Sequence, residues 1–264
     1  MEAANDEKEE FRGPIRLRVA LADSINTVAI RVMSDIGTAA VIDTAHKLGI
    51  KSELTTDLSL ALGASGVTPL EMANAYATFP SGGKYADPVV IKEIAGEPQP
   101  VQPPVEVMKP EVAFLMTQVM TSVIQEGTAR SAAGALHRPA AGKTGTTNSH
   151  RDAWFIGFTP DLVAAVWVGF DDMRQLGRGE QGARVALPIW VGFMTQALKN
   201  QPPRPFVQPP GVVTSRIDPK SGLLAAPGAP SGIDEYFLEG TAPTQVAPQD
   251  GDSTENFLLH QAGN

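Results

Sequence analysis

Three β-prone segments crowd into residues 140–170, on links too short for anything but a reversal of direction. They read "AGKTGTT", "DAWFIGF" and "LVAAVWVGF", and only "NSHR" and "TPD" separate them. Parallel neighbours need a crossover of a dozen or more residues, so this run predicts an antiparallel three-stranded meander. Everything around it must pack as helices or turns against that sheet.

The helical pattern is clear on both sides. Val28, Val32 and Ile36 recur at helical spacing over about 27–36, with Gly37 placed as the stop. A second helix follows, with Thr38 as N-cap, Val41, Ile42, Ala45 and Leu48 on one face, and Gly49 at its end. Thr68, Pro69 and Glu71 form a capping-box signal for a helix over 69–79. "VVIKEIAG" alternates as one short strand, and residues 97–105 form a Pro-rich connector. Pro110–Glu126 predicts a long helix with Val112, Leu115, Met116, Val119, Met120 and Val123 as its apolar stripe. "ALPIWVGFMTQAL" returns to helix after the meander. The fold class is therefore α+β, with the three-stranded antiparallel sheet flanked by helices.

Prolines at 202, 203, 205, 209 and 210 mark a linker. The expected division is an acidic leader at 1–12, a main domain at 13–199 and a Pro-rich, partly disordered extension at 200–264. Within that extension "GVVTSRIDPKSGLLA" predicts one short strand pair.

Composition excludes several functions. The net charge of -8, with no Lys/Arg cluster, argues against a nucleic-acid partner. There is no cysteine, so disulfides, thiolate nucleophiles and Cys-rich metal sites are excluded. His46, His137, His150 and His260 show no ligand spacing, and neither a metal nor a cofactor is expected. The longest apolar stretches fall far short of the roughly 20 residues of a membrane span, and the N-terminus carries no secretory signal.

Gly142-Lys143-Thr144 admits two chemistries. A P-loop needs a glycine five positions before Gly142, but His137 stands there, and a strand follows Lys143 where a P-loop has a helix. The other reading is Lys143-Thr144-Gly145 on a strand edge, with the ammonium and the threonine hydroxyls facing a cleft and the glycine admitting substrate to the backbone. Ser24-Ile25-Asn26, on the turn into a helix, is the companion such a strand needs, although Ser and Asn are also ordinary helix caps.

With those motifs, "LADSINTVAIRV", "LALGASGVTPLEMANAYATF", "AAGKTGTTNSHRDAWFIGFTPDLVAAVWVGFDD" and "ALPIWVGFM" together resemble the transpeptidase domain of class A (bifunctional) penicillin-binding proteins. The resemblance covers about residues 13–198, and "SGLLA" to "EYFLEGTAPT" resembles the end of such proteins. It implies a partial penicillin-binding-protein/β-lactamase-like fold, with peptidoglycan stem peptides and β-lactams as ligands. By resemblance, Ser24 relays a proton and Asn26 hydrogen-bonds the substrate amide. Lys143 supplies positive charge, Thr144 and Thr146 bind a carboxylate beside Gly145, and the Thr146 N–H forms half of an oxyanion hole.

The family's nucleophile is the serine of a helix-borne Ser-x-x-Lys. The sequence holds one such string, Ser81-Gly82-Gly83-Lys84, whose two glycines disfavour a helix. The expectation is that the nucleophile, two more strands, a glycosyltransferase region and a membrane anchor belong to a longer parent on the periplasmic side of the bacterial envelope. The rival expectations are a non-catalytic fragment and a D,D-carboxypeptidase or β-lactamase-type serine enzyme.

Overall fold

The computed structural model describes residues 13–146, 151–172, 174–177 and 180–248. The acidic leader at 1–12, His150, His260 and the end of the extension at 249–264 lie outside the described residues.

Four helices open the chain: α1 (Leu17–Ala22), α2 (Asn26–Ile36), α3 (Thr38–Lys47) and α4 (Pro69–Ala77). Gly37 stands between α2 and α3 at φ 82°, so the two helices meet without a loop, and Thr38 is the first residue of α3, not its cap. The α3 face carrying Val41, Ile42, Ala45 and Leu48 is the half-buried one. α4 begins with the capping box the sequence encodes. Glu71 N–H donates to Thr68 Oγ1 at 3.2 Å, and Glu71 Oε2 accepts from Thr68 N–H at 2.9 Å. The same carboxylate also accepts from the backbone amides of Lys51 and Ser52 and from the Ser52 hydroxyl, which ties the preceding loop to the helix.

Two minimal hairpins follow. β1 (Lys84–Tyr85) pairs with β4 (Val105–Glu106), and between them β2 (Glu93–Ile94) pairs with β3 (Glu97–Pro98). The single strand expected over "VVIKEIAG" is cut short because Ala95 and Gly96 both take positive φ, 52° and 89°, and turn the chain back on itself. The connector at 97–105 thus supplies a strand to each of the two hairpins.

Next comes α5 (Pro110–Gln125), whose inward face departs from the stripe read in the sequence. Ala113, Phe114, Thr117, Met120, Thr121, Ser122, Val123 and Ile124 are buried, whereas Val112 and Met116 are exposed. The Thr117 and Thr121 hydroxyls donate to the carbonyls of Ala113 and Gln118, both at 2.8 Å. Satisfied within the helix, they go inside at little cost, which a purely apolar count misses.

After α6 (Ala133–Leu136) the meander forms as expected: β5 (Ala141–Thr146), β6 (Asp152–Phe158) and β7 (Val163–Gly169), antiparallel and in that order. Register pairs Lys143 with Ile156, Gly145 with Trp154, and Phe155 with Val166. α7 (Ala186–Ala197) covers one face, where Phe155 meets Trp190 edge-on at 4.9 Å within the larger core. Trp190 Nε1 donates to Gly157 O at 3.2 Å, and a Cβ on Gly157 would lie 2.7 Å from the indole. On the other face Phe158 packs with Tyr76, Phe79, Met120 and Phe206.

Phe206 lies in the proline-rich linker, so that segment is anchored to the main body. Beyond it β8 (Val212–Ile217) pairs with β9 (Ile233–Leu238). The strand pair expected within "GVVTSRIDPKSGLLA" is replaced by this longer-range one, and Leu224 makes only single bridges to Ile217 and Val246. The Asp218 carboxylate accepts from the Ser221 and Lys220 amides and turns the chain out of line after β8.

The Glu71 hydrogen bonds, led by that from Thr68 N–H, hold its pKa down to about 2 from 4.5. A depressed carboxylate contributes stability that is complete above about pH 4.5 and is lost as pH falls toward 2. Glu71→Ala should destabilise the chain by about 1–2 kcal/mol in urea melts at neutral pH and flatten the fall in stability over that acid range.

Candidate active site

Helix α1 ends at Asp23, and the next residue, Ser24, has left-handed backbone at φ 58°. A non-glycine residue there carries strain on the order of 1 kcal/mol. The strain goes with a directed hydroxyl: Lys143 Nζ donates to Ser24 Oγ at 2.8 Å, across 119 residues of sequence. The cap explanation for this triplet fails, because the N-cap of α2 is Ile25 and no side chain caps it. Asn26 opens α2, two residues from Ser24 on the same turn.

Lys143 lies in β5, which among the described residues has a neighbour on one side only, so its outer backbone groups face away from β6. Its ammonium also donates to Thr144 O at 3.1 Å and to Thr144 Oγ1 at 3.3 Å. Burial pulls the Lys143 pKa down to about 8. Strand alternation divides the residues of the motif between two faces. Lys143 and Gly145 share the face of their partners Ile156 and Trp154, while Thr144 and Thr146 share that of Phe155 and Ala153. The long lysine stem brings the ammonium back to Thr144, but the Thr146 hydroxyl is elsewhere and accepts from Gly182 N–H at 3.1 Å. Gly182 sits so close that a Cβ would lie 2.3 Å from Trp154 O and 2.6 Å from Gly145 O.

One participant was not legible beforehand. Thr128 Oγ1 lies 2.8 Å from Thr144 Oγ1, extending the chain of contacts from Ser24 through Lys143 and Thr144. Its local sequence, "QEGTAR", carries only the Gly127 helix stop, and nothing there points to a strand residue. Gly127 approaches α1 where a Cβ would be 2.3 Å from Ala22 O, and Thr128 N–H donates to that carbonyl at 3.0 Å.

The alternative strings resolve geometrically. His137 ends α6 in left-handed conformation, and Arg138 donates to the carbonyls of Leu198 and Gln201 at the end of α7, so this stretch makes structural contacts ahead of β5. Gly82 and Gly83, at φ 71° and 87°, place Ser81 in a turn, and the Ser81 hydroxyl donates to the backbone carbonyls of Thr78 and Lys84. Among the described residues no acidic or histidine cluster could hold a metal ion.

Residues 2–190 match the penicillin binding protein transpeptidase domain, and residues 208–250 match the C-terminal domain of penicillin-binding protein 1A. The chain belongs to the penicillin-binding protein transpeptidase family. It is 36% identical to penicillin-binding protein 1A of Pseudomonas aeruginosa over 89% of this chain and 36% of that protein. To penicillin-binding protein 1A of Aquifex aeolicus it is 40% identical over 90% of this chain and 33% of that protein. The chain thus spans about a third of the length of these curated relatives. Among solved structures, penicillin-binding protein 1A from Haemophilus influenzae superposes with a TM-score of 0.84 at 35% identity, covering 92% of this chain and 42% of the other. Among the described residues no helix is long and apolar enough to cross a membrane.

Two outcomes follow from this geometry. Ser24→Ala keeps the strained backbone and loses the acceptor, whereas Ser24→Gly relieves the strain, so the glycine variant should be the more stable of the two by about 1 kcal/mol in chemical denaturation. A lysine whose folded pKa lies near 8 binds fewer protons than in the unfolded chain between about 8 and 10.5, so stability should rise with pH across that window. The rise is bounded by about 1.4 kcal/mol per pH unit, and Lys143→Met should abolish it.

Proposed function

We propose that the chain carries the Ser-x-Asn and Lys-Thr-Gly half of a peptidoglycan D,D-transpeptidase site. The single observation behind this reading is the 2.8 Å contact between Lys143 Nζ and Ser24 Oγ, which brings two motifs together that are distant in sequence. Acyl transfer from a D-Ala-D-Ala stem peptide needs a cation for the terminal carboxylate, a proton relay for the amine, and donors for the oxyanion. Lys143 fills the first role and Ser24 the second. A hydroxyl that accepts one hydrogen bond still has its own proton, so the Thr146 hydroxyl is free to donate to a carboxylate while Gly182 donates to it. Thr144, held by Lys143 and Thr128, supplies the second hydroxyl, and Asn26 takes the substrate amide. The Thr146 N–H, at the end of β5, is the oxyanion donor.

The attacking serine is not among these residues. The single Ser-x-x-Lys string lies in a turn, and a lysine can deprotonate the serine three residues before it only if a helix brings the two side by side. By this reading the 264-residue chain is a non-catalytic half-site, and the cross-linking activity belongs to a longer class A protein of the bacterial envelope. The main unit ends near residue 200, and the C-terminal hairpin forms a second one. β-Lactams occupy the same carboxylate site as the stem peptide.

Fluorescent penicillin tests the proposal. The isolated chain should show no covalent band on a denaturing gel, and a band would overturn the assignment of the nucleophile. A β-lactam carboxylate should still bind reversibly and shift the amide NMR signals of Thr144 and Thr146. Lys143→Met should weaken that binding by about tenfold or more, the value of one charge-assisted hydrogen bond.

A further inference from the structure

Ser24 follows a helix that cannot hold itself in place. α1 has six residues, no side-chain cap, and only Ala20 and Ala22 fully buried. A helix this short is unstable alone, and two alanines offer little surface to fix its rotation or depth. Two arginines provide the missing constraint. Arg18 grips Glu235 of β9 with both ends of its guanidinium, from Nε to Oε2 at 2.7 Å and from Nη2 to Oε1. Its Nη1 reaches the Gln118 carbonyl and, at 3.0 Å, the Ser122 hydroxyl of α5. Arg16 donates to Glu235 Oε2 at 3.2 Å and to Pro219 O at 2.9 Å. All three side chains are at most 17% exposed. The neighbouring Tyr236 ring meets Phe114 of α5 edge-on at 5.2 Å, so hairpin, α1 and α5 converge around one carboxylate. At its far end α1 accepts from Thr128 N–H through Ala22 O, two residues before Ser24.

We infer that the C-terminal hairpin is a clamp on the site, in which Glu235 positions the Ser24 hydroxyl against Lys143 by holding α1 through Arg16 and Arg18. A buried carboxylate shared by two guanidinium groups fixes one arrangement, since any slip leaves a buried charge unpaired. Glu235 is a positioning residue, because it touches neither Ser24 nor Lys143. The inference rests on the acyl-transfer reading for its catalytic meaning, while the contact it controls can be measured without that reading.

The test uses the full 264-residue chain with isotope-labelled lysine, following Lys143 by NMR and assigning its signal with Lys143→Arg. In the wild type the ammonium, desolvated by burial, should titrate at about 8. In Glu235→Ala, α1 shifts, water reaches the ammonium, and the midpoint should rise toward 10.5, about a tenfold or greater gain in proton affinity. Glu235→Gln keeps one acceptor oxygen and should give a smaller rise, and it carries the test if the alanine variant does not fold. Arg216→Ala removes an exposed pair with Asp234 from the same hairpin and should leave Lys143 as in the wild type. An unchanged midpoint in folded Glu235 variants would overturn the clamp, and so would an equal rise in Arg216→Ala. Failure of β-lactam binding would count against the functional reading alone and leave the titration result standing.

Discussion

Strand β6 is the element on which the rest depends, because it is buried on both faces at once. Phe155 and Gly157 face α7, where the indole of Trp190 occupies the space a side chain on residue 157 would need. Ile156 and Phe158 face the opposite way, and Phe158 closes a second core with Tyr76, Phe79 and Phe206. A one-residue slip would exchange these faces, so the register is fixed by two cores with different shapes. β5 takes its position from β6, and Lys143 takes its direction from β5.

The candidate site is accordingly a product of edges and close approaches. Among the described residues β5 has an open side that offers backbone donors, and the missing side chain of Gly182 lets the 180s segment lie against that strand within van der Waals limits. Facing it, α1 brings Ser24 from the far end of the chain and is held there by α5 and by the C-terminal hairpin. Lys143 sits between these parts with its ammonium surrounded by hydroxyl and carbonyl oxygens and with no carboxylate in the contacts described. That environment desolvates the cation without neutralising it.

How much of this was legible depends on how local each cause was. The meander followed from strand propensity and link length, and the α4 capping box from three residues, and both formed as read. The stripe on α5 did not, because Thr117 and Thr121 satisfy their hydroxyls inside the helix and then behave as small apolar groups. The strand over "VVIKEIAG" was shortened by a turn at Ala95-Gly96, where a non-glycine residue takes positive φ that its type does not advertise. The partner of β8 was misplaced for a similar reason: strand pairing across an intervening loop is decided by three-dimensional fit, and the Asp218 turn sends the chain away from its nearest candidate.

The sequence by itself determined the family of this protein, the order of its longer helices and of the three meander strands, and the identity of Ser24, Asn26, Lys143, Thr144, Gly145 and Thr146 as the residues to examine. Those are properties of motif spacing and periodicity, and they survive without coordinates. Only the tertiary structure decided that Lys143 reaches Ser24, that Thr146 turns to the other face of β5, that Thr128 joins the hydroxyl chain, and that Glu235 holds the helix before Ser24. Each of these joins residues far apart in the chain or depends on which face of a strand a side chain takes. Long-range packing and hydrogen-bond geometry set such relations, and no local pattern encodes them.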